Sequence, residues 1–301
     1  MLASTRSSGG GTSSIPAAPD ETIAAMRPTH PSLGEVLVGP GRPIETIEAA
    51  VTECLARQAA ARTLYGISSN SAPPWLGVNV IIDPGDYWPT SNLGFPHWCA
   101  IYAADTTKHS TIIHTGLETI TGYWEGVDVI NEPPPYDEKY PMHLANGGTT
   151  IIVRCTLNNN YPASGGGDTW LGMDGGRAGC TTVFYDVDGT PGGSNLHGWG
   201  EGQTGPSTVC YVNSRSAGGP FNAANFAGGP TGFDNPGDMW VVGGSAKGLT
   251  MDGINLHLDP AFTLVGGGTV QRSHSGVTDS RTDWPIPVGG LSARDRALWG
   301  M

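Results

Sequence analysis

The sequence predicts an all-β protein built as a ladder of β-coils. Three observations point there. Short runs rich in Val, Ile, Thr, Phe and Tyr alternate with Gly-, Pro- and Asn-rich breaks over residues 149–157, 181–187, 207–214, 249–259 and 262–265. Those residue types suit a pleated, half-buried surface, and the breaks hold the turn formers. The runs centred on Val153, Val183 and Val209 recur about every 25–30 residues, a spacing that marks stacked repeat units. In the last long run, Ile254, Leu256 and Leu258 alternate with Asn255, His257 and Asp259, as in a strand with one buried face.

Composition fits one large all-β unit. The chain has 301 residues, with 46 Gly and 24 Pro. Most of the Gly lies between apolar runs and reads as turns. Charged residues make up only 14% of the chain, which points to a secreted or assembled protein, because free soluble domains carry charge-rich surfaces. The net charge of −12 repels phosphate backbones, so no nucleic-acid partner is expected. No apolar run reaches the length of a membrane span. The N-terminal stretch lacks the apolar core of a secretory signal, so synthesis in a cytoplasm without export by that route is expected. Five cysteines occur, Cys54, Cys99, Cys155, Cys180 and Cys210, with no metal spacing. They read as small core residues, with a disulfide between neighbouring coils as the alternative. No metal and no cofactor is expected.

Residues 1–42 read as an extended, low-complexity N-terminal arm with two apolar islands, Ile23–Met26 and Val36–Val38. Such a segment cannot fold alone. If ordered, it needs a holder, either a neighbouring subunit or the flank of the β-body. Residues 43–64 read as a helix. Pro43 suits its first turn, Glu45 and Glu48 its positive end, and Arg57 and Arg62 its negative end. Ile44, Ile47, Val51, Cys54, Leu55 and Ala59 form an apolar stripe that Gln58 weakens, and the stripe is suited to docking on the end of a β-body.

A strand at Val78–Ile82 then enters a tight turn at Pro84-Gly85, followed by Asp86 and Tyr87. The helix with TIEAAV (Thr46–Val51) and the strand ending in PGxY (Pro84, Gly85, Tyr87) resemble the opening of right-handed parallel β-helix proteins of the pectin methylesterase and pectate lyase group. Cys99–Ala103 and Thr111–Thr115, followed by Gly116, resemble the next strands of that group. The resemblance covers residues 44–116. It implies a right-handed parallel β-helix over residues 76–272, with the helix capping its open N-terminal end.

Within that body, residues 124–141 are acidic and Pro-rich and read as a loop thrown out from one coil, either a contact loop or a solvated connector. Residues 273–301 read as a C-terminal tail without β pattern, in which Leu291, Leu298 and Trp299 can dock on a neighbour. Its PIPVGG segment and LSARDRALWGM end resemble the termini of tail proteins from phages of actinobacteria.

The esterase branch of the resemblance implies two Asp carboxylates. Asp168 and Thr169 match its first motif without the Gln. At the second, Gly189-Thr190 match and the nucleophilic Asp is missing. An acid without a nucleophile forms no acyl-enzyme. Weaker catalytic candidates are Asp168, Asp174, His197 and Glu201. Together with Asp186 and Asp188 these supply carboxylates that a lyase or glycosidase could pair. The simpler reading is turn Asp residues and a His packed in a Gly-rich turn. Trp170, Asn195, Trp199, Asn222, Asn225, Phe226 and Trp240 are ligand-binding candidates, with Phe221 and Asp234 nearby. Their aromatics are expected in the breaks between coils, where rings can stack on sugars while amides bond hydroxyls. Packing between loops is the alternative.

These readings converge on a structural β-helix component of a phage tail. The expectation is a homo-oligomer, a trimer by preference, in contact with other tail proteins and facing a host-envelope glycan. Its expected location is the virion tail, after synthesis in the host cytoplasm. The alternative is a β-helix polysaccharide lyase or glycoside hydrolase with carboxylates in 168–201.

Overall fold

The computed structural model describes residues 15–29, 32–68, 76–90, 94–96, 98–108, 110–114, 122–131, 142–143, 149–159, 170–174, 181–189, 195–197, 208–224, 237–252, 254–259 and 261–272. It is a parallel β-solenoid. The first sheet runs Glu35–Val38, Asn79–Ile82, Cys99–Ala103, Gly122–Glu125, Thr149–Val153, Thr181–Tyr185, Thr208–Val212, Gly237–Val242 and Ile254–Leu258, each parallel to the next. From Asn79–Ile82 onward, the chain visits a second parallel sheet between consecutive strands of the first; that sheet begins Gly85–Tyr87, Ser110–His114, Val127–Asn131 and Thr156–Asn159. Three long strands, Arg215–Ala224, Ser245–Asp252 and Thr263–Arg272, each feed two ladders. Arg215 and Ser216 pair with Asp188 and Gly189; after a register break, Phe221 and Asn222 pair with Leu196 and His197.

One-residue alternation sends the first sheet's side chains to two apolar regions. Val80, Ile101, Trp124, Ile152, Phe184, Tyr211 and Val241 lie in register and join Ile112, Val129, Leu157, Phe221 and Leu249 of the second sheet in the core between the sheets. Phe184 stacks on Tyr211 (5.1 Å, 3°) and Tyr211 on Phe221 (4.3 Å, 2°), which carries the core across from one sheet to the other. The alternate residues, Ile81, Ala100, Tyr102, Tyr123, Ile151, Val153, Val183 and Cys210, form a second buried cluster on the sheet's other face. A strand buried on both faces reads as a continuous apolar run. That is why the phase of runs such as CAIYA and TTIIV is hidden in the sequence.

The corner between the sheets repeats. Gly126, Arg154, Asp186, Asn213 and Gly243 all take left-handed backbone (φ +49° to +70°). Four of them donate their N–H to the neighbouring coil: Gly126 N to Val153 O at 2.9 Å, Arg154 N to Tyr185 O at 2.9 Å, Asp186 N to Val212 O at 2.8 Å, and Asn213 N to Val242 O at 2.8 Å. The following residue turns inward. Cys155, Val187 and Ser214 are buried, and the Ser214 hydroxyl accepts from Val187 N at 3.1 Å. Gly244 follows at the next corner, where an added Cβ would meet Ser214 O at 2.2 Å, so only glycine fits.

Helix α1 (Glu21–Met26) and helix α2 (Ile47–Tyr65) precede and interrupt the first strands. Two boundaries differ from the sequence reading. The helix expected over 43–64 begins at Ile47, because the Thr46 hydroxyl accepts from Ala49 N as N-cap. Ile44 instead bridges to Val38. The buried face is Ile47, Ala50, Cys54, Gln58 and Ala61, and Leu55 is half exposed. Gln58 is tolerated there because its amide donates to Leu76 O at 3.1 Å. Gly66 closes the helix in left-handed conformation. The face packs into the inter-sheet core at its N-terminal end, alongside Val36, Val38, Val80 and Cys99, and Arg57 donates to Leu33 O and Glu35 O.

The expected arm is part of the body from residue 15 onward. Of the two holders considered, the flank of the β-body is the one seen. Glu35–Val38 is the first strand of the first sheet, and α1 lays Ile23 and Met26 on that sheet's outer apolar face. The contact is fixed by a buried ion pair. Arg27 donates to both oxygens of Glu125 (Nε 2.8 Å, NH2 2.7 Å), Tyr123 Oη donates to Glu125 at 2.8 Å, and the guanidinium lies 5.4 Å from the Tyr102 ring. The loop expected over 124–141 is likewise corrected at its start. Gly122–Glu125 and Val127–Asn131 are strands with Trp124, Val127 and Val129 buried, because W-E-G-V-D-V alternates about the Gly126 corner. Residues 132–141 lie outside the described residues.

Glu125 is only 2% exposed, so removing its charge leaves Arg27 uncompensated. Glu125→Ala is expected to destabilise the fold by about 3 kcal/mol in urea titrations. Arg27→Met combined with Glu125→Leu should recover most of that loss, and equal loss in the double variant would overturn the pairing. A second expectation concerns alkaline pH. Burial pushes the Cys155 thiol up to about 12 and, with the Glu125 charge, raises the Tyr123 phenol well above its usual range. The unfolded chain therefore loses these protons first. Stability is complete below the unfolded values, about 8.5 for Cys and about 10 for Tyr, and falls as pH rises through them. Cys155→Ala should flatten the onset of that fall in urea midpoints measured from pH 7 to 11.

Candidate functional site

The left-handed corners bring side chains of successive coils into one column, and a surface cavity of about 550 Å³ opens along it. Asp20 of the arm, Arg154, Tyr185, Asp186, Asn213 and Arg215 line it. Their order follows from the register. Arg154, Asp186 and Asn213 occupy the equivalent left-handed position, and Arg215 stands in register with Asp188. A residue in that conformation projects away from the core, so charge is accommodated there.

The charges alternate. Asp20 pairs with Arg154 at 3.3 Å, Arg154 with Asp186 at 3.3 Å, and Asp186 with Arg215 at 3.3 Å. Arg215 then donates to both oxygens of Asp188, at 3.0 Å through NH2. Hydrogen bonding to Asp188, and then the Asp188 and Asp186 charges, outweigh burial and raise the Arg215 pKa. The groove therefore offers fixed donors and acceptors and the rim of Tyr185. Both carboxylates the sequence reading offered here, Asp186 and Asp188, are engaged by guanidinium groups. That is the arrangement of a scaffold or a polar-ligand site. Glycoside hydrolysis asks for an acid and a nucleophile facing each other across a sugar-sized gap.

The other expected site residues divide. Asp168, Trp199, Glu201, Asn225 and Phe226 lie outside the described residues. Trp170 and Asp174 fall on the strand Trp170–Asp174, Asn195 and His197 on Asn195–His197, and Asn222 on Arg215–Ala224. Parallel pairing places Trp170 beside Asn195, and His197 beside both Gly172 and Asn222. Asn222 in turn pairs with Thr250. Asp174 stands beside His143. Trp240 is separate. It lies on the first sheet, half-buried, stacked on His257 at 3.6 Å and 10°. The aromatics expected in breaks are thus on strands where described: Trp170, Trp240 and Phe221, the last fully buried in the core.

Sequence reasoning missed Asp20, Arg154, Asn213 and Arg215. Arg154 and Asn213 belong to a corner that follows five of the first-sheet strands, Gly126-Val127, Arg154-Cys155, Asp186-Val187, Asn213-Ser214 and Gly243-Gly244, and only its spacing, not its residue type, is visible in the sequence. It recurs about every 30 residues. Among the described residues no group of three or more His, Cys, Asp or Glu is placed to hold a metal ion, and no helix is long and apolar enough to cross a membrane. Comparison with models of known families, with curated proteins and with solved structures finds no significant match.

The ladder's side chains are partly exposed, with Arg215 at 50%. Arg215→Ala is therefore expected to change stability by less than about 1 kcal/mol in thermal or urea melts. A loss several times larger would show that the column holds the coils together and is no free site.

Proposed function

We propose that the chain is the β-solenoid body of a virion tail component and that it meets a cell-surface glycan along the second sheet. One observation supports the glycan reading most. Pairing sets Trp170 next to Asn195 and His197 next to Asn222, from three strands distant in sequence. Adjacent rungs of a parallel sheet are about 4.8 Å apart, so positions that carry an aromatic, two amides and an imidazole recur at that spacing on neighbouring strands. Aromatic faces and amide groups are the usual partners of sugar rings and hydroxyls. Support for the virion part comes from the charge-poor composition, the solenoid architecture and the resemblance of the C-terminal LSARDRALWGM segment to phage tail proteins. The second reading, a polysaccharide-cleaving enzyme, draws on Asp174 standing beside His143.

The test is a binding isotherm of the full chain against bacterial envelope polysaccharides, with its mass followed by light scattering. Trp170→Ala and Asn222→Ala are each expected to weaken binding at least tenfold while three copies stay together. Unchanged affinity in both variants would remove the second-sheet site, and a monomer at all concentrations would remove the trimeric tail assembly. Release of new reducing ends from the bound polysaccharide, abolished by Asp174→Asn, would favour the enzyme.

A further inference from the structure

The groove along the corner column holds more hydrogen-bonding capacity than its own ion pairs use. Three left-handed corners in a row, Arg154, Asp186 and Asn213, supply its side chains. Glycine stands at the equivalent position one coil to either side, as Gly126 and Gly243. The corner side chains therefore cover three coils, about 10 Å, and the column is bare backbone at both ends. Asp20 of the arm forms one wall. Its Oδ1 accepts from Ile23 N at 2.8 Å and its Oδ2 meets Arg154 at 3.3 Å, so that wall is held from two directions. The cavity of about 550 Å³ between these groups is the size of a small-molecule site.

Each guanidinium reaches its carboxylates through Nε and Nη2, Arg154 toward Asp186 and Asp20, and Arg215 toward Asp188 and Asp186. Among the described residues, Nη1 of both arginines makes no hydrogen bond, and neither does the Tyr185 hydroxyl, the Asn213 amide or the Ser245 hydroxyl. All five groups belong to residues that line the cavity. The Asn213 amide also has a prepared seat. A Cβ added at Gly243 would meet its Oδ1 at 2.6 Å.

We propose that this groove binds a neutral pyranose segment of a glycan, as a contact separate from Trp170, Asn195, His197 and Asn222. The inference rests on the glycan reading given above and adds a second site to it. Charge balance decides the ligand class. Asp20 and Asp186 offset Arg154 and Arg215 in the lining. A ligand carboxylate or phosphate would face Asp186 and the field of a chain with net charge −12. A cation would face two guanidinium groups. A hydroxyl both donates and accepts, so sugar hydroxyls take the arginine Nη1 hydrogens and donate to the carboxylates beside them. Tyr185 packs against the outer apolar cluster and adds the aromatic contact that sugar rings use. The ion pairs hold these groups in place before the ligand arrives, which lowers the ordering cost of binding.

The experiment titrates the full-length chain by calorimetry with dextran, mannan and galactan, and with polygalacturonate as the acidic counterpart. At least one neutral glycan is expected to bind, and polygalacturonate at least tenfold more weakly. Raising salt from about 0.05 to about 0.5 M should change the neutral affinity by less than about twofold. Asn213→Gly and Tyr185→Phe should each weaken binding about fivefold, and together more than tenfold. Asn213→Gly keeps the backbone that the corner needs, because glycine already fills that position at Gly126 and Gly243. In the unaltered chain, bound glycan should slow hydrogen exchange in the peptides that hold Arg154, Asp186 and Asn213. The variant Trp170→Ala with Asn222→Ala separates the two sites, and weakening by both sets of changes is the expected result. Loss confined to that variant would overturn the groove and leave the second-sheet contact standing. Loss confined to Asn213→Gly and Tyr185→Phe would support the groove and remove the second-sheet contact. Tighter binding of polygalacturonate, protection only in other peptides, or no binding of any neutral glycan would each overturn the groove assignment.

Discussion

Everything in this molecule depends on coils keeping parallel register through one tight corner. A single left-handed residue turns the chain from the first sheet to the second, and its N–H bonds the next coil, as Arg154, Asp186 and Asn213 show. A one-residue slip would exchange the two faces of a strand. Here both faces of the first sheet are apolar, so side-chain polarity alone holds register weakly. The corner supplies what polarity does not. The inward residue after it, Cys155, Val187 or Ser214, is buried, and the space at Gly244 admits no Cβ.

That two-faced sheet creates a second requirement. A solenoid can leave one face of each sheet to water, but Ile81, Tyr102, Tyr123, Ile151 and Val183 cannot face it without a large apolar patch. The N-terminal segment lies over part of this face, with Ile23 and Met26 as apolar cover and Arg27 locked on Glu125. The ion pair contributes orientation more than net stability. Its desolvation cost offsets most of its Coulombic gain, yet an unmatched charge there would be severely unfavourable. The segment has one seat on the sheet for that reason. The opposite requirement, covering the open end of the core, falls to α2, whose buried Gln58 and exposed Leu55 show that fit to the end of the solenoid outranks amphipathic regularity.

Two polar features remain on a body that is mostly apolar inside. The corner column alternates Asp and Arg, so each charge is balanced by a neighbour one coil away. The second-sheet ladder sets Trp170, Asn195, His197 and Asn222 at neighbouring positions. Stacked coils present repeated groups at fixed spacing along an extended face, a geometry that matches a polymer better than a compact metabolite. The proposed glycan contact follows from that match, and the charge-balanced column gives the same body polar relief beside it.

The sequence by itself determined the strands, their turn-rich breaks, the repeat near 30 residues and the helix before the first full coil. These are local quantities: β-branched and aromatic runs, Gly and Pro punctuation, and the Thr46 cap all act within a few residues. It left the arm unplaced, shifted the helix face and took Trp124–Asn131 for a loop. Only the tertiary structure decided that Glu125 is buried, because its partner Arg27 is 98 residues away. Only register brought Asn195 beside Trp170 and Arg215 beside Asp188, and register is a sum over many rungs that no single run encodes. The corner residues were hidden for the same reason. Gly, Arg, Asp and Asn share no chemistry at that position, and what unites them is a backbone angle imposed by the coils above and below.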